Sequence, residues 1–370
     1  MVIGTVKEIK KNEYRVGLTP ACVKAFTGRG HEILIEKGAG EGTGFEDMEY
    51  ESAGGRIVSD KKNIYDKAEM IIKVKEPQPS EYDLLREGQI IYTYFHFAAD
   101  EKLTQAMLQR KIKAIAYETI ETEDGQLPCL KPMSEIAGRL SVQEGAKYLE
   151  KAFGGRGILL GGVPGVARGK VAILGGGVVG TNAAKIASGI GADVTILDVD
   201  SRRLEYLDDI FGSRITTLYS NDENIEKICN ESDLIIGAVL LHGAKAPRLI
   251  TRNHLKRMKR GSVIVDVAVD QGGCVETTRP TTHADPVYVV EDVVHYCVAN
   301  MPGTVALSST QALTSTTLPF GLQIAEKGIE KAAKQHYALE RGVNMYNGIC
   351  TYKNVAEAFN FEYSNLKELL

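Results

Sequence analysis

Short apolar runs alternate with amphipathic stretches along the first third of the chain. Residues 2–6, 32–36, 70–74, 89–97 and 113–120 are each rich in β-branched or aromatic side chains, as expected for strands buried on both faces. Thr19 followed by Pro20 supplies an N-cap and a first helical residue with a preset φ, so a helix is predicted to start there. Strands and helices in alternation predict a parallel, doubly wound sheet. From Ser134 the period becomes helical: Ile136, Leu140, Ala146, Leu149 and Phe153 share one face until Gly154, Gly155 and Gly157 end the run. Apolar runs then return near residues 170–174, 194–198, 214–218, 234–238, 262–267 and 287–290. After Pro302 the pattern is helical, at 311–339 and from 354 to the end, with no further strand signal.

The segment Lys170 to Asp198 reads KVAILGGGVVGTNAAKIASGIGADVTILD. A strand runs into Gly175-x-Gly177-x-x-Gly180, then a helix, then a second strand that ends in a carboxylate. The first glycine allows a tight turn, the second lets backbone approach a pyrophosphate, and the third lets helix pack on strand. The helix start, Val178 onward, then points free N–H groups and its positive dipole end at the phosphates. Asp198 falls where it can accept hydrogen bonds from both adenosine ribose hydroxyls and repel a 2′-phosphate, which favours NAD over NADP. Arg202 and Arg203 lie close behind and are able to neutralise a phosphate.

The expected fold class is therefore α/β with two doubly wound domains. Residues 131–304 would form a Rossmann NAD-binding domain. Residues 1–130 and 305–370 would form a discontinuous substrate and catalytic domain, because a nucleotide domain is complete without the C-terminal helices. A cleft between the two is expected to hold the chemistry. A chain of 370 residues is long enough for two cores.

Composition narrows the function. With 44% hydrophobic and 25% charged residues and a net charge of −4, there is no basic footprint for nucleic acid. No run of apolar residues is long enough to span a bilayer, and the N-terminus lacks a signal-peptide core, so a cytoplasmic protein is expected. The six cysteines are scattered, which predicts neither a disulfide framework nor a structural metal site.

Ligands of doubly wound sheets bind at the carboxyl ends of strands. Lys75 ends MIIKVK, His96 lies near the end of IIYTYFHF, and Asp270 ends SVIVDVAVD. Singly, each has a plainer reading: a solvated flank, a satisfied core histidine, an aspartate before a Gly-Gly turn. Together they supply what hydride chemistry beside a nicotinamide requires: a base for the proton, a cation for a carboxylate or oxyanion, and a group to order water or ammonia.

The opening Gly4-Thr-Val-Lys-Glu-Ile-Lys-Lys-Asn-Glu-Tyr-Arg15-Val-Gly-Leu-Thr-Pro20 resembles that of L-alanine dehydrogenases and the related nucleotide-binding subunits of transhydrogenases. The likeness continues through KVKEP (73–77), YFHFA (94–98), KPMSEIAGRLS (131–141), GGVPGV (161–166), DVAVDQGG (266–273) and VANMPG (298–303). It implies that Arg15 pairs with the substrate carboxylate, that Lys75 and Asn300 contact substrate, that His96 is the general acid/base, and that Asp270 helps to deprotonate water or ammonia. For NAD it implies Ser134, Val178, Asp198, Arg203, Ser220, Val239, Leu240, Val267 to Asp270, Arg279, and Val298 to Met301. The implied reaction is reversible oxidative deamination of L-alanine to pyruvate and ammonium in a cytoplasmic homohexamer. Rival readings are a transhydrogenase subunit and a dehydrogenase for another small amino acid; the intact Arg15, Lys75 and His96 set disfavours the first. The chain departs from the resemblance at Val6, at His242, and over Thr304 to Thr310. Some relatives carry a metal in the C-terminal helices. Here Gln323 and Lys327 are poor ligands for a hard cation, and no metal is expected.

Overall fold

The computed structural model describes residues 1–239 and 246–370. The chain forms two compact units, one of Met1–Met133 with Gly303–Leu370, the other of Ser134–Pro302.

Six strands open the first unit: β1 (Val2–Thr5), β2 (Glu32–Glu36), β3 (Arg56–Val58), β4 (Met70–Ile72), β5 (Ile90–Thr93) and β6 (Lys113–Ala116). They run parallel in the order 3-2-1-4-5-6, so the direction of winding reverses at β1 and β4. Thr19 caps the helix Pro20–Thr27 by accepting the Cys22 N–H, with Pro20 in its first turn. The second unit carries β7 (Lys170–Leu174), β8 (Asp193–Asp198), β9 (Thr216–Tyr219), β10 (Leu234–Gly237), β11 (Val263–Asp266), β12 (Val287–Val290) and β13 (Val293–Tyr296). Its order is 12-13-11-10-7-8-9, parallel except for the antiparallel β12–β13 pair, with the reversal between β7 and β10.

The C-terminal part, helical at Ala306–Lys327, Ile329–Gln335 and Tyr337–Gly342, is not helical throughout. Strands β14 (Val343–Tyr346) and β15 (Ile349–Cys350) extend the first sheet, β14 antiparallel to β6. This corrects the expectation of no strand after Pro302. The cause is a two-residue hairpin at Asn347-Gly348, both with positive φ (51° and 90°), the backbone that primed turns require. A similar hairpin at Glu291-Asp292, φ 51° and 61°, turns β12 back as β13. Met345 of β14 joins Ile71, Ile91, Phe95 and Met107 in the first core, which ties the C-terminal segment to that unit. The second core packs Leu174, Leu197, Ile235 and Ile264 against Ile225 and Leu255.

All six cysteines are buried free thiols. Among the described residues no helix is long and apolar enough to cross a membrane.

Candidate active site

The strands that were expected to carry the chemistry stop short of it. β4 ends at Ile72, β5 at Thr93 and β11 at Asp266, so Lys75, His96 and Asp270 all lie in the loops beyond. A strand would alternate side chains across the sheet; in the first unit the loops beyond β4 and β5 instead bring Lys75 and His96 near each other. In the first unit Arg15 follows β1, Lys75 follows β4 and His96 follows β5, adjacent strands that straddle the reversal of winding. The three are close enough that each charge acts on the others: Arg15 and Lys10 disfavour the charged form of Lys75, and Lys75, Lys10 and Arg15 disfavour that of His96.

Each of the three is held by a glutamate that sequence reasoning missed. Arg15, only 2% exposed, gives Nε to Glu13 Oε1 at 2.7 Å and Nη2 to Glu13 Oε2 at 2.6 Å, a bidentate pair. Nη1 meets Met133 Sδ at 3.0 Å. Burial alone would raise the Glu13 carboxyl, but the Arg15 guanidinium overrides it and holds the group at about 2. The fork expected to close on a substrate carboxylate thus already closes on a resident one along one edge. Glu13 and Arg15 are two apart, the spacing that puts side chains of extended backbone on the same side, and that was the available signal.

Glu8 accepts the Val74 and Lys75 backbone N–H groups at 2.6 and 3.1 Å and pairs with buried Lys73 at 3.2 Å. Lys73 also reaches Glu81 at 3.2 Å. Burial and the neighbouring cations Arg15 and Lys10 lower the pKa of Lys75. Glu118, just beyond β6, accepts the backbone N–H of His96 at 2.5 Å and that of Phe95 at 3.1 Å. His96 itself adopts the left-handed conformation, φ 55° and ψ 40°. Its ring stacks on that of Tyr94 at 5.8 Å and 6°, and Tyr94 is anchored by its hydroxyl to the Cys129 carbonyl at 2.5 Å. His96 is exposed at the surface, yet the protein packed around its ring lowers the imidazole pKa by desolvation, opposed by Glu118 and assisted by Lys75, Lys10 and Arg15.

The second unit builds a different kind of site. Gly175 has φ +96°, a backbone that side chains disfavour. A Cβ on Gly180 would lie 1.8 Å from the Gly175 carbonyl oxygen, so the helix Val178–Gly189 packs on its turn only with glycine there. A Cβ on Gly177 would meet nothing within 4 Å, and Gly177 caps the helix with no side-chain hydrogen bond. Open space in front of uncapped N–H groups suits a pyrophosphate. Asp198 ends β8, where Oδ2 accepts the Gly176 N–H at 2.6 Å and Oδ1 the Asp200 N–H at 2.9 Å. Arg203 binds the Gly176 carbonyl through Nε and Thr181 Oγ1 through Nη2 at 2.6 Å. Arg203 therefore braces the glycine turn; Arg202 is exposed.

The remaining positions of the expected NAD set are distributed around this sheet. Ser134 lies in the helix Lys131–Tyr148, Ser220 just beyond β9 with its N–H on the Asp198 carbonyl at 2.9 Å, and Val239 just beyond β10. Leu240 and His242 lie outside the described residues. Val267 to Asp270 form one turn whose cap is buried Asp266, which accepts the Ala268 and Cys274 N–H groups at 3.1 and 3.0 Å. Asp270 is exposed, and its Oδ2 accepts the Asn300 N–H at 3.4 Å. Asn300, φ 57°, follows buried Val298 and precedes buried Met301. The Arg279 guanidinium stacks on Tyr288 at 4.2 Å. In the C-terminal helices Gln323 Oε1 and Lys327 Nζ lie 3.1 and 3.4 Å from His336 Nε2, and no cluster of potential metal ligands occurs among the described residues.

Comparison with known proteins gives a consistent likeness. Residues 4–137 match the family described as Alanine dehydrogenase/PNT, N-terminal domain, and residues 141–353 its C-terminal domain. The chain is 56% identical to alanine dehydrogenase 2 of Staphylococcus aureus (strain USA300) over 371 residues, covering all of both proteins. It is 56% identical to an alanine dehydrogenase of Methanococcus maripaludis, again end to end. A solved L-alanine dehydrogenase superposes with a TM-score of 0.95 at 51% identity, over 97% of this chain and 99% of that one. A transhydrogenase from Sinorhizobium meliloti shares the fold, with a TM-score of 0.81 at 24% identity over 95% and 99% of the two chains.

Proposed function

The chain belongs to the alanine dehydrogenase/PNT family, and from that premise we propose that it is an NAD-dependent dehydrogenase of L-alanine. The reaction takes L-alanine, NAD and water reversibly to pyruvate, ammonium, NADH and a proton. The observation that carries the reading is the set of Arg15, Lys75 and His96 on three adjacent strand ends, each tethered by its own glutamate.

Arg15 and Lys75 supply positive charge for the substrate carboxylate and carbonyl oxygen. Because Glu13 occupies the Nε/Nη2 edge, Lys75 shares the load of the substrate's negative charge. His96, held below 6.5, is neutral near pH 7 and ready to take a proton as substrate nitrogen loses it; in the reverse direction it returns that proton. The hydride leaving the substrate's α-carbon would be taken up by NAD when that cofactor is bound. Asp270 deprotonates the water that adds to the resulting imine, and the carbinolamine collapses to pyruvate as ammonia leaves. Asn300 steadies Asp270 through its N–H and contacts substrate.

Gly177 and Val178 offer the pyrophosphate its N–H groups, and Asp198 takes both ribose hydroxyls, which selects NAD. Ser134, Ser220, Val239, Leu240, Val267, Arg279, Val298 and Met301 complete the proposed contact set, with Arg203 supporting the turn. A cytoplasmic homohexamer completes the reading.

The test is a rate assay of nucleotide reduction with a panel of L-amino acids, run with NAD and with NADP. L-Alanine with NAD is expected to dominate. Equal rates with a bulkier amino acid would reassign the substrate, and equal rates with NADP would reject the role of Asp198.

A further inference from the structure

The backbone of His96 is strained, and its strain has an identifiable restraint. A non-glycine residue at φ 55° sits in a sparsely populated region, one that histidine enters more readily than most residues but that still needs support from its surroundings. His96 is the N-cap of the single-turn helix Phe97–Ala99. Its own carbonyl is taken by the Ala99 N–H at 2.9 Å. What faces the bend from the neighbouring strand is Glu118. β5 and β6 pair in parallel with Thr93 opposite Ala116, so a carboxylate two residues past β6 reaches the two N–H groups that β5 releases as it turns.

We propose, on the reading of His96 as general acid/base, that Glu118 is a positioning residue: its carboxylate pins the Phe95–His96 bend and presents the imidazole to substrate in the conformation that exchanges protons. Charge-assisted hydrogen bonds from backbone N–H to carboxylate are short and roughly twice as strong as neutral ones, which suits an anchor for strained backbone. Tyr94 supplies the second restraint by stacking on the ring from below, itself fixed to the Cys129 carbonyl.

The same carboxylate is the anion acting on the imidazole against Lys75, Lys10 and Arg15. Other charges in the neighbourhood are committed. Lys10 pairs with Glu76, Arg15 with Glu13, Arg341 with Glu121 at 3.2 Å, and Asp100 caps the helix Glu101–Gln109 through the Leu103 N–H. Tyr352 lies within the field of Glu118 and Glu121. Removing the charge at Glu118 therefore leaves cations in control of His96 and should move its titration to lower pH.

The experiment is Glu118→Gln and Glu118→Asp in the full-length protein, with kcat, KM for L-alanine, NAD affinity, the pH profile of kcat/KM, and the His96 imidazole titration by NMR, its signal assigned with His96→Ala. Glu118→Gln keeps an acceptor oxygen, so it should fold. It should lose about tenfold or more in kcat while KM and NAD affinity change by less than about threefold, because an acid/base step contributes roughly 10²- to 10⁴-fold and only part of it depends on the anchor. Its acid limb and its imidazole titration should both shift downward. Glu118→Asp, which keeps the charge, should restore most of that shift. A Glu118→Gln enzyme with wild-type kcat and an unmoved imidazole titration would overturn the proposal, as would a variant that fails to fold, since the role would then be structural. If the wild-type protein makes no NADH from L-alanine, the functional reading fails, while the NMR titration still judges whether Glu118 controls His96.

Discussion

The two units solve opposite problems. In the first, the candidate groups are titratable, and each is restrained by an added carboxylate: Glu13 on Arg15, Glu8 on the Lys75 backbone, Glu118 on the His96 backbone. In the second, the proposed nucleotide turn works by omission. Gly180 leaves out a Cβ that would strike the Gly175 carbonyl, Gly177 leaves open space, and the helix start carries no side-chain cap. A site for small charged substrates must fix strongly solvated groups and compensate their burial, which takes partners. A site for a pyrophosphate needs backbone N–H groups left exposed, which takes small residues. Substitutions in the two units should therefore fail in different ways.

The largest expected effect is on turnover in the first unit. His96→Ala removes the proposed proton acceptor, and NADH production from L-alanine should fall roughly 10²- to 10⁴-fold in steady-state assays. Glu13→Ala should instead act on stability. It leaves the guanidinium of Arg15 buried without its bidentate partner, which should cost about 3–5 kcal/mol in denaturant unfolding. The same pair gives an acid signature: the Glu13 carboxyl is held at about 2, below its usual 4.5. Its contribution to stability is therefore complete above about 4.5 and declines as pH falls from there through about 2. Glu13→Gln should flatten that part of an acid-unfolding curve, and an unchanged curve would reject the pair as its source.

Smaller effects are expected in the second unit. Gly180→Ala forces helix and turn apart, at roughly 1–3 kcal/mol of stability, with weakened NAD binding measured by calorimetry. Gly177→Ala should leave thermal stability unchanged, because the added methyl meets no protein atom, yet still weaken NAD by intruding on the pyrophosphate's space. Equal losses of stability in the two glycine variants would show that the turn is a packing device rather than a binding one.

What the sequence disclosed follows the same division. The glycine turn was legible because its requirements are local: strand, turn, helix and acid occur within thirty consecutive residues, 170–198. The alternation of apolar runs located β1, β2, β4 to β11 and β12 for the same reason. The strands it missed are short, or enter through positive-φ turns. β3 begins with an arginine and has three residues; β13 follows Glu291-Asp292, which carry no glycine. The hairpin before β15, at Asn347-Gly348, lay between the two predicted helical stretches, 311–339 and 354 to the end. Lys75, His96 and Asp270 were found as chemistry and Arg15 only through the resemblance, yet assigning the first three to strands missed the loops that orient them. Glu8 and Glu118 left no local trace, because each meets its partner across 66 or 67 and 22 or 23 positions of sequence and only the sheet order joins them.

The division of labour between the units has one direct test, a calorimetric titration of NAD into purified His96→Ala beside its turnover of L-alanine. Turnover should be lost while the dissociation constant stays within about twofold of wild type, a difference well under 1.4 kcal/mol. Turnover equal to wild type, or a tenfold loss of NAD affinity, would contradict the assignment of this imidazole to proton transfer.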